Sequence, residues 1–235
     1  MKVRIKFSKK GAVKFIGHLD MMRYFQKAVR RAEIDIAYSA GFSPHQIMSF
    51  AAPLSVGHTS EGEYFDIEVN SLIDTDDIKK RLNQTMAEGI EILYAAVLDD
   101  KDGNAMASVA AASYLVSFRE NVMLPAHWKQ RLLEFYSRET IPVTKKSKRG
   151  EREIDLKAGI YELAVKGESV YMLINASSGD NIKPALVLET FFREIKEELP
   201  EFSLLIHRLD TLKNVGTKEA PVFVPLICEN DPLIN

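Results

Sequence analysis

The order of its apolar-periodic segments predicts an α+β chain with antiparallel sheets, made of two tandem βαββαβ units. Three observations carry this. Some segments alternate with the period of a half-buried strand, others recur with the period of an amphipathic helix, and the second half repeats the element order of the first.

In the first unit, residues 1–100, Val3, Ile5 and Phe7 alternate with Lys2, Arg4 and Lys6, as in a strand with one buried face. From His18 to Ala32, Met22, Phe25, Val29 and Ala32 form one stripe, and Asp20, Arg23, Lys27 and Arg30 form the opposite one, which predicts a helix with a basic solvent face. Ile34–Ser39 reads as a short strand and Gly41–Pro53 as a loop, since it mixes Gly, Pro and Ser with bulky apolar residues. Glu63–Val69 alternates again. Asp74-Thr75-Asp76-Asp77 opens a helix expected to run to about Glu88, its acids favoured by the helix dipole. Ile90–Leu98 closes the unit as a strand, and the polar stretch Asp99–Asn104 links it to the next.

The second unit, residues 105–214, reads as strand Tyr114–Phe118, helix Ala126–Ser137, short strand Ile141–Val143, strand Val170–Ala176, helix Pro184–Glu197 and strand Phe202–Leu209. Pro184 sits where a helix tolerates proline, in its first turn. The starts Val3 and Tyr114, His18 and Ala126, Asp74 and Lys183, Ile90 and Phe202 are 111, 108, 109 and 112 residues apart, the signature of a duplicated unit. Between Thr144 and Asp155 lies a mobile-loop segment with Lys145, Lys146, Lys148, Arg149 and Arg152. Residues 215–235, with three prolines, read as an extended tail. A βαββαβ order folds most simply into a four-stranded sheet with both helices on one face, the ferredoxin-like architecture, in which the first strand is central. Lys2, Arg4 and Lys6 are then expected on the open face of the first sheet.

The chain has 235 residues, 46% of them apolar and 27% charged, which excludes coiled coil, collagen and disordered chain. Its net charge of -2 conceals an asymmetry: residues 1–31 hold ten Lys or Arg and one acid, giving +9, so residues 32–235 carry -11. A basic head on an acidic body points to an anionic partner. The lone Cys228 excludes an intramolecular disulfide, a cysteine-held iron-sulfur cluster and a four-cysteine zinc site. No cofactor motif is legible. The alternating N-terminus is no signal-peptide core, and the longest apolar-biased run, 105–118, is too short to cross a bilayer, so a cytoplasmic protein with no membrane partner is expected.

Chemistry-bearing residues are densest between Gly17 and Tyr64: Gly17-His18-Leu19-Asp20 with Arg23, then Ala37-Tyr38-Ser39 followed by Gly41-Phe42-Ser43-Pro44-His45, then Ser60 with Gly62-Glu63-Tyr64. In this order the sequence resembles the radical-SAM-linked uncharacterised bacterial domain family, whose domain occurs alone or after a radical-SAM domain. The resemblance implies an accessory module. With one cysteine, this chain lacks the three-cysteine motif of the radical-SAM enzyme itself, so that partner would be a separate polypeptide. More loosely, the paired units resemble CRISPR repeat-processing endoribonucleases, which bind RNA.

Two functions follow as expectations. In the first, the chain is a non-catalytic RNA-binding accessory to a radical-SAM enzyme that modifies tRNA or rRNA. Lys2, Arg4, Lys6, Lys9, Lys10, Arg23, Lys27, Arg30, Arg31, Lys145, Lys146, Lys148 and Arg149 would contact phosphates, and Phe42, Phe50 or Tyr38 would stack on a base. In the second, His18, Asp20, Arg23, Ser39 and His45 form a metal-independent site that cleaves phosphodiesters by general acid-base catalysis. A third reading makes the chain a protein-docking adaptor for the radical-SAM enzyme. Plainer roles compete: His18 and Asp20 suit a helix start, Arg23 can pair with Asp20 at i,i+3, and solvated lysines are usually solubilising. His18, Asp20, His45 and His58 are metal-compatible types, but no two of these histidines share a helical i,i+3 or i,i+4 spacing, so no metal site is specified.

Overall fold

The computed structural model describes residues 1–71, 74–99, 102–147 and 150–227. It is a mixed α/β fold with antiparallel sheet and few helices, dividing into one unit of Met1–Ala110 with Arg208–Asn235 and a second of Ala111–His207.

The first unit runs β1 (Lys2–Lys9), α1 (His18–Arg31), β2 (Met48–Phe50), β3 (Thr59–Glu68), α2 (Thr75–Asn83), β4 (Ile90–Val97) and a short α3 (Ala105–Ser108). Its strands lie in the order β4-β1-β3 with β2 also on β3, all antiparallel, so β1 is central as expected. The alternation of β1 sends Val3, Ile5 and Phe7 into a core with Phe25, Phe65, Ile78 and Leu82. Phe7, Phe25, Phe50 and Phe65 pack there with ring centroids 4.7 to 6.1 Å apart, in edge, tilted and stacked geometries.

Two elements depart from the sequence reading. Ile34–Ser39 contributes only isolated bridges at Ile36 and Tyr38, and the strand proper is Met48–Phe50, inside the segment read as loop. Residues Met48, Ser49 and Phe50 pair with Ile67, Asp66 and Phe65, whereas Ile36 reaches β3 only beyond its end, at Val69. Helix α2 stops at Asn83 rather than near Glu88. The Asn83 side chain donates to the Ile92 carbonyl at 3.0 Å and accepts from its N–H at 2.8 Å, pinning the helix end to β4.

The second unit holds β5 (Ala111–Phe118), α4 (Trp128–Tyr136), a separate hairpin of β6 (Pro142–Ser147) and β7 (Gly150–Asp155), then β8 (Ile160–Lys166), β9 (Ser169–Asn175), α5 (Pro184–Glu194) and the start of β10 (Leu204–Asn214). Here the strand order is β10-β5-β9-β8, and Trp128, Leu132, Phe135, Phe191 and Phe192 are buried in its core. The sequence reading missed β8 and gave its place to Ile141–Val143. The segment read as a mobile loop is the β6-β7 hairpin, which puts Lys145 opposite Arg152 and Lys146 opposite Glu151; Lys148 and Arg149 lie outside the described residues, as does Cys228. Starts of β1 and β5, α1 and α4, β3 and β9, α2 and α5 are 109, 110, 110 and 109 residues apart.

Strand β10 crosses the boundary between the units. From Arg208 onward it belongs to the first, beside β3, and β11 (Phe223–Pro225) pairs with it at Leu212–Asn214. Gly62 is needed at this seam, because a Cβ there would lie 2.3 Å from the Asp210 Cα.

Candidate functional site

The basic residues of the first 31 positions meet two different fates. Along β1 they turn inward. Arg4, 1% exposed, makes a bidentate pair with Asp66 at 2.8 and 3.0 Å and donates to the Gly103 carbonyl at 2.8 Å. Asp66 also accepts from the Ala105 N–H, so the first residues of α3 close over the pair. Lys6 is bound to Asp210 at 2.7 Å, and the same carboxylate accepts from the Tyr64 hydroxyl. The expected open face carrying Lys2, Arg4 and Lys6 is therefore corrected: Arg4 is wholly buried, Lys6 largely so, and only Lys2 is exposed. Lys9 is buried as well, whereas Lys10 is exposed and pairs with Glu61.

Along α1 the basic residues face out. Arg23, Lys27 and Arg30 share one solvent stripe, as i,i+4 and i,i+3 neighbours must. Lys27 and Arg30 make no hydrogen bond or ion pair among the described residues. Arg23 meets Asp20 at 3.3 Å, in a pair exposed enough to be worth little, and Arg31 donates to the Thr85 carbonyl at 3.2 Å. Beside this stripe stands a closed loop. Ser39 donates its N–H to the His45 carbonyl, accepts from the His45 N–H on its hydroxyl, and holds that hydroxyl 2.8 Å from His45 Nδ1. The adjoining Gln46 fixes the base of the loop to α1 by donating to the Gln26 carbonyl at 3.2 Å. At the tip Gly41 has φ +112°, a conformation that favours glycine, and the next residue, Phe42, is fully exposed at 112% of its reference surface.

A third group lies at the start of α1. His18 is the first helical residue; Gly17 takes the N-cap position without a side-chain cap. The His18 ring stands edge-on to Phe50 at 5.6 Å. Burial holds its pKa below the usual imidazole value, the Glu63 carboxylate acts to raise it, and the Lys9 ammonium acts to lower it further. Lys9 is likewise depressed by burial and raised by Glu63, and its Nζ donates to the Ile16 carbonyl at 2.7 Å. Glu63 itself is held by Arg208 at 2.9 and 3.1 Å, and Arg208 reaches the carbonyls of Ala52 and Pro53 at 3.4 Å.

The five residues expected to form one acid-base site thus fall into three groups: His18 with Phe50, Lys9 and Glu63; Asp20 with Arg23; Ser39 with His45. No hydrogen bond, ion pair or ring contact among the described residues joins them. Along α1, His18 and Gln26 are separated by eight residues, about 12 Å of helix. No cluster of three or more metal-ligating side chains occurs among the described residues.

A family model described as "Uncharacterized protein conserved in bacteria (DUF2344)" matches residues 2–184 of this sequence. The chain belongs to the DUF2344 family. No curated protein matches the sequence. Among solved structures, a chain of the "Crystal Structure of a Cbf5-Nop10-Gar1 Complex" resembles the DUF2344 chain at a TM-score of 0.45 and 9% identity. That similarity covers 89% of this chain and 48% of the other, so the DUF2344 chain spans about half the length of its neighbour. Among the described residues no helix is long and apolar enough to cross a membrane.

The structure also explains motif residues of this DUF2344 chain whose roles the sequence left open. In the Ser60 to Tyr64 run, the Ser60 hydroxyl accepts from the Gly62 N–H, the Gly62 carbonyl accepts from Thr211, Glu63 holds Arg208 and Tyr64 holds Asp210. This motif is the joint between β3 and β10. No local signal could have disclosed it, since its partners lie about 150 residues away. In the second unit, a cleft of about 790 Å³ is lined by β7 and residues near Asn175 and Asp180, where Arg152 meets Asp180 at 3.5 Å.

Proposed function

We propose that this protein is an RNA-binding accessory module that contacts phosphates through α1 and stacks a base on Phe42. One observation carries the reading: the free cations of Lys27 and Arg30, with Arg23, lie on a helix whose flank anchors a hydrogen-bonded loop with a bare aromatic ring at its tip. Phosphate neutralisation by such a stripe and base stacking on an exposed ring are the two contacts that sequence-tolerant RNA binding needs. Lys2, Lys10 and Arg31 are further exposed basic residues that would contact phosphate, and the segment with Lys145, Lys146, Lys148 and Arg149 would add a second contact. Arg4, Lys6 and Lys9 are left out because their charges are enclosed. Acid-base cleavage by His18, Asp20, Arg23, Ser39 and His45 together is not part of the reading, since those residues do not converge.

Each unit is read as ferredoxin-like, supported by the two strand orders, β4-β1-β3-β2 and β10-β5-β9-β8, which follow one pattern. The cytoplasmic radical-SAM enzyme that the module would serve rests on the resemblance of the Gly17–Tyr64 motifs. Gel shift with total tRNA and rRNA fragments tests the binding. Affinity is expected to fall steeply above about 50 mM salt, and replacing Arg23, Lys27 and Arg30 together by Gln should lower the salt slope by about two to three. Binding that is absent at about 50 mM salt, or indifferent to salt, overturns the reading. Co-purification of the enzyme partner with and without nuclease distinguishes an RNA bridge from direct docking.

A further inference from the structure

The group at the start of α1 has an unbalanced charge. Lys9, Glu63 and Arg208 are 3%, 5% and 5% exposed, so two cations and one carboxylate are enclosed together. Glu63 is taken up in both oxygens by Arg208. Among the described residues the Lys9 ammonium pairs with no carboxylate and makes a single hydrogen bond, to the Ile16 carbonyl, which leaves two N–H donors without a protein partner. An enclosed ammonium without a counter-ion is costly, and the remedies are an anion or loss of the proton. His18 is the partly exposed member of the group, and its ring stands edge-on to Phe50.

We infer that Lys9 and His18 form a binding site for a phosphate group, which enters past the His18 ring and completes the charge balance of the buried group. The two free Nζ–H donors and one imidazole N–H match in number the three terminal oxygens of a phosphate monoester. Arg208 holds the Glu63 carboxylate, and Phe50 packs against the His18 ring. This site is separate from the basic stripe of α1, and it stands whether or not that stripe binds RNA. The phosphate could be carried by a small monoester or by the 5′ end of an RNA.

NMR titration of the His18 ring in the full chain tests this, in chloride, inorganic phosphate, acetate or a 5′-phosphorylated trinucleotide at matched ionic strength. Phosphate and trinucleotide are expected to raise the pH at which His18 titrates by about one unit, as an opposite charge within a few ångströms does. Acetate should leave it near the chloride value. Lys9→Met should abolish the rise, and Lys218→Gln, at an exposed lysine outside both the stripe and the site, should retain it. A His18 titration unmoved by phosphate, moved equally by acetate, or moved equally in Lys9→Met overturns the site. If Lys9→Met does not fold, His18→Ala replaces it: the rise in melting temperature given by phosphate should fall by at least about half, and an undiminished rise rejects the site. A response to the trinucleotide at much lower concentration than to inorganic phosphate identifies an RNA end as the source, and equal concentrations identify the phosphate group alone.

Discussion

Strand β1 and helix α1 are both rich in Lys and Arg, lie within the first 31 residues of one unit, and use their charge in opposite ways. In β1 the cations are consumed inside: Arg4 by Asp66, Lys6 by Asp210, Lys9 by a carbonyl. In α1 they stand in water. The difference teaches that a net charge of +9 is a sum over two populations, and that only the exposed one can steer an anion from a distance. Period alone could not separate them, because a strand's polar face is exposed only if nothing covers it, and the covers here arrive from residues 66, 103–105 and 210.

Five substitutions would sharpen or break this contrast. The largest effect is expected from Arg4→Ala, which strands Asp66 in the interior; loss of one partner of a buried pair costs about 3 to 5 kcal/mol, read as a lowered denaturation midpoint. A loss below about 1 kcal/mol would mean that the pair is not enclosed. Next comes Phe42→Ala, expected to weaken RNA binding by about 1 to 3 kcal/mol without changing the melting temperature, because the ring touches nothing it stabilises. Equal weakening of stability and affinity would show that the loop is structural.

A smaller effect is expected on stability from Lys27→Gln and Arg30→Gln, each within about 0.5 kcal/mol, although both should reduce RNA affinity. The smallest concerns pH. The folded pKa of His18 lies below its unfolded value of about 6.5, so the unfolded chain takes up a proton first as pH falls. The contribution of this group to stability is therefore unchanged above about pH 7 and is lost as pH drops through 6.5 toward the folded pKa. In His18→Gln that part of the acid dependence should disappear from a series of melts at pH 7 to 5. A wild-type protein that gains stability over this range through His18 would contradict the burial of its ring.

Much of the architecture was legible because strand and helix periods are local properties. The alternation of Val3, Ile5 and Phe7, the Met22 to Ala32 stripe and the Asp-rich start of α2 all lie where their periods put them, and Asp74 caps α2 by accepting from the Asp76 N–H. Short elements escaped. Met48–Phe50 has three residues, too few to display a period, and β8 went unread, although its Ile160 and Leu163 are buried on β9. Among the candidate residues, the exposure of Arg23 and Lys27 followed from the helical pattern, whereas that of Phe42 did not, since a loop aromatic can equally turn inward. The enclosure of Arg4 and Lys9 did not, because it depends on acids and carbonyls supplied by distant segments.

The return of β10 to the first unit has a consequence for how the chain acquires its structure. Glu63, Tyr64 and the Gly62 carbonyl are made before Arg208, Asp210 and Thr211, which satisfy them and lie 145, 146 and 149 residues further on. The first unit therefore cannot bury Glu63 against its partner until the segment between Ala111 and His207 has been translated. Its closure follows that of the intervening unit, and the stretch from Arg208 onward serves as its latch.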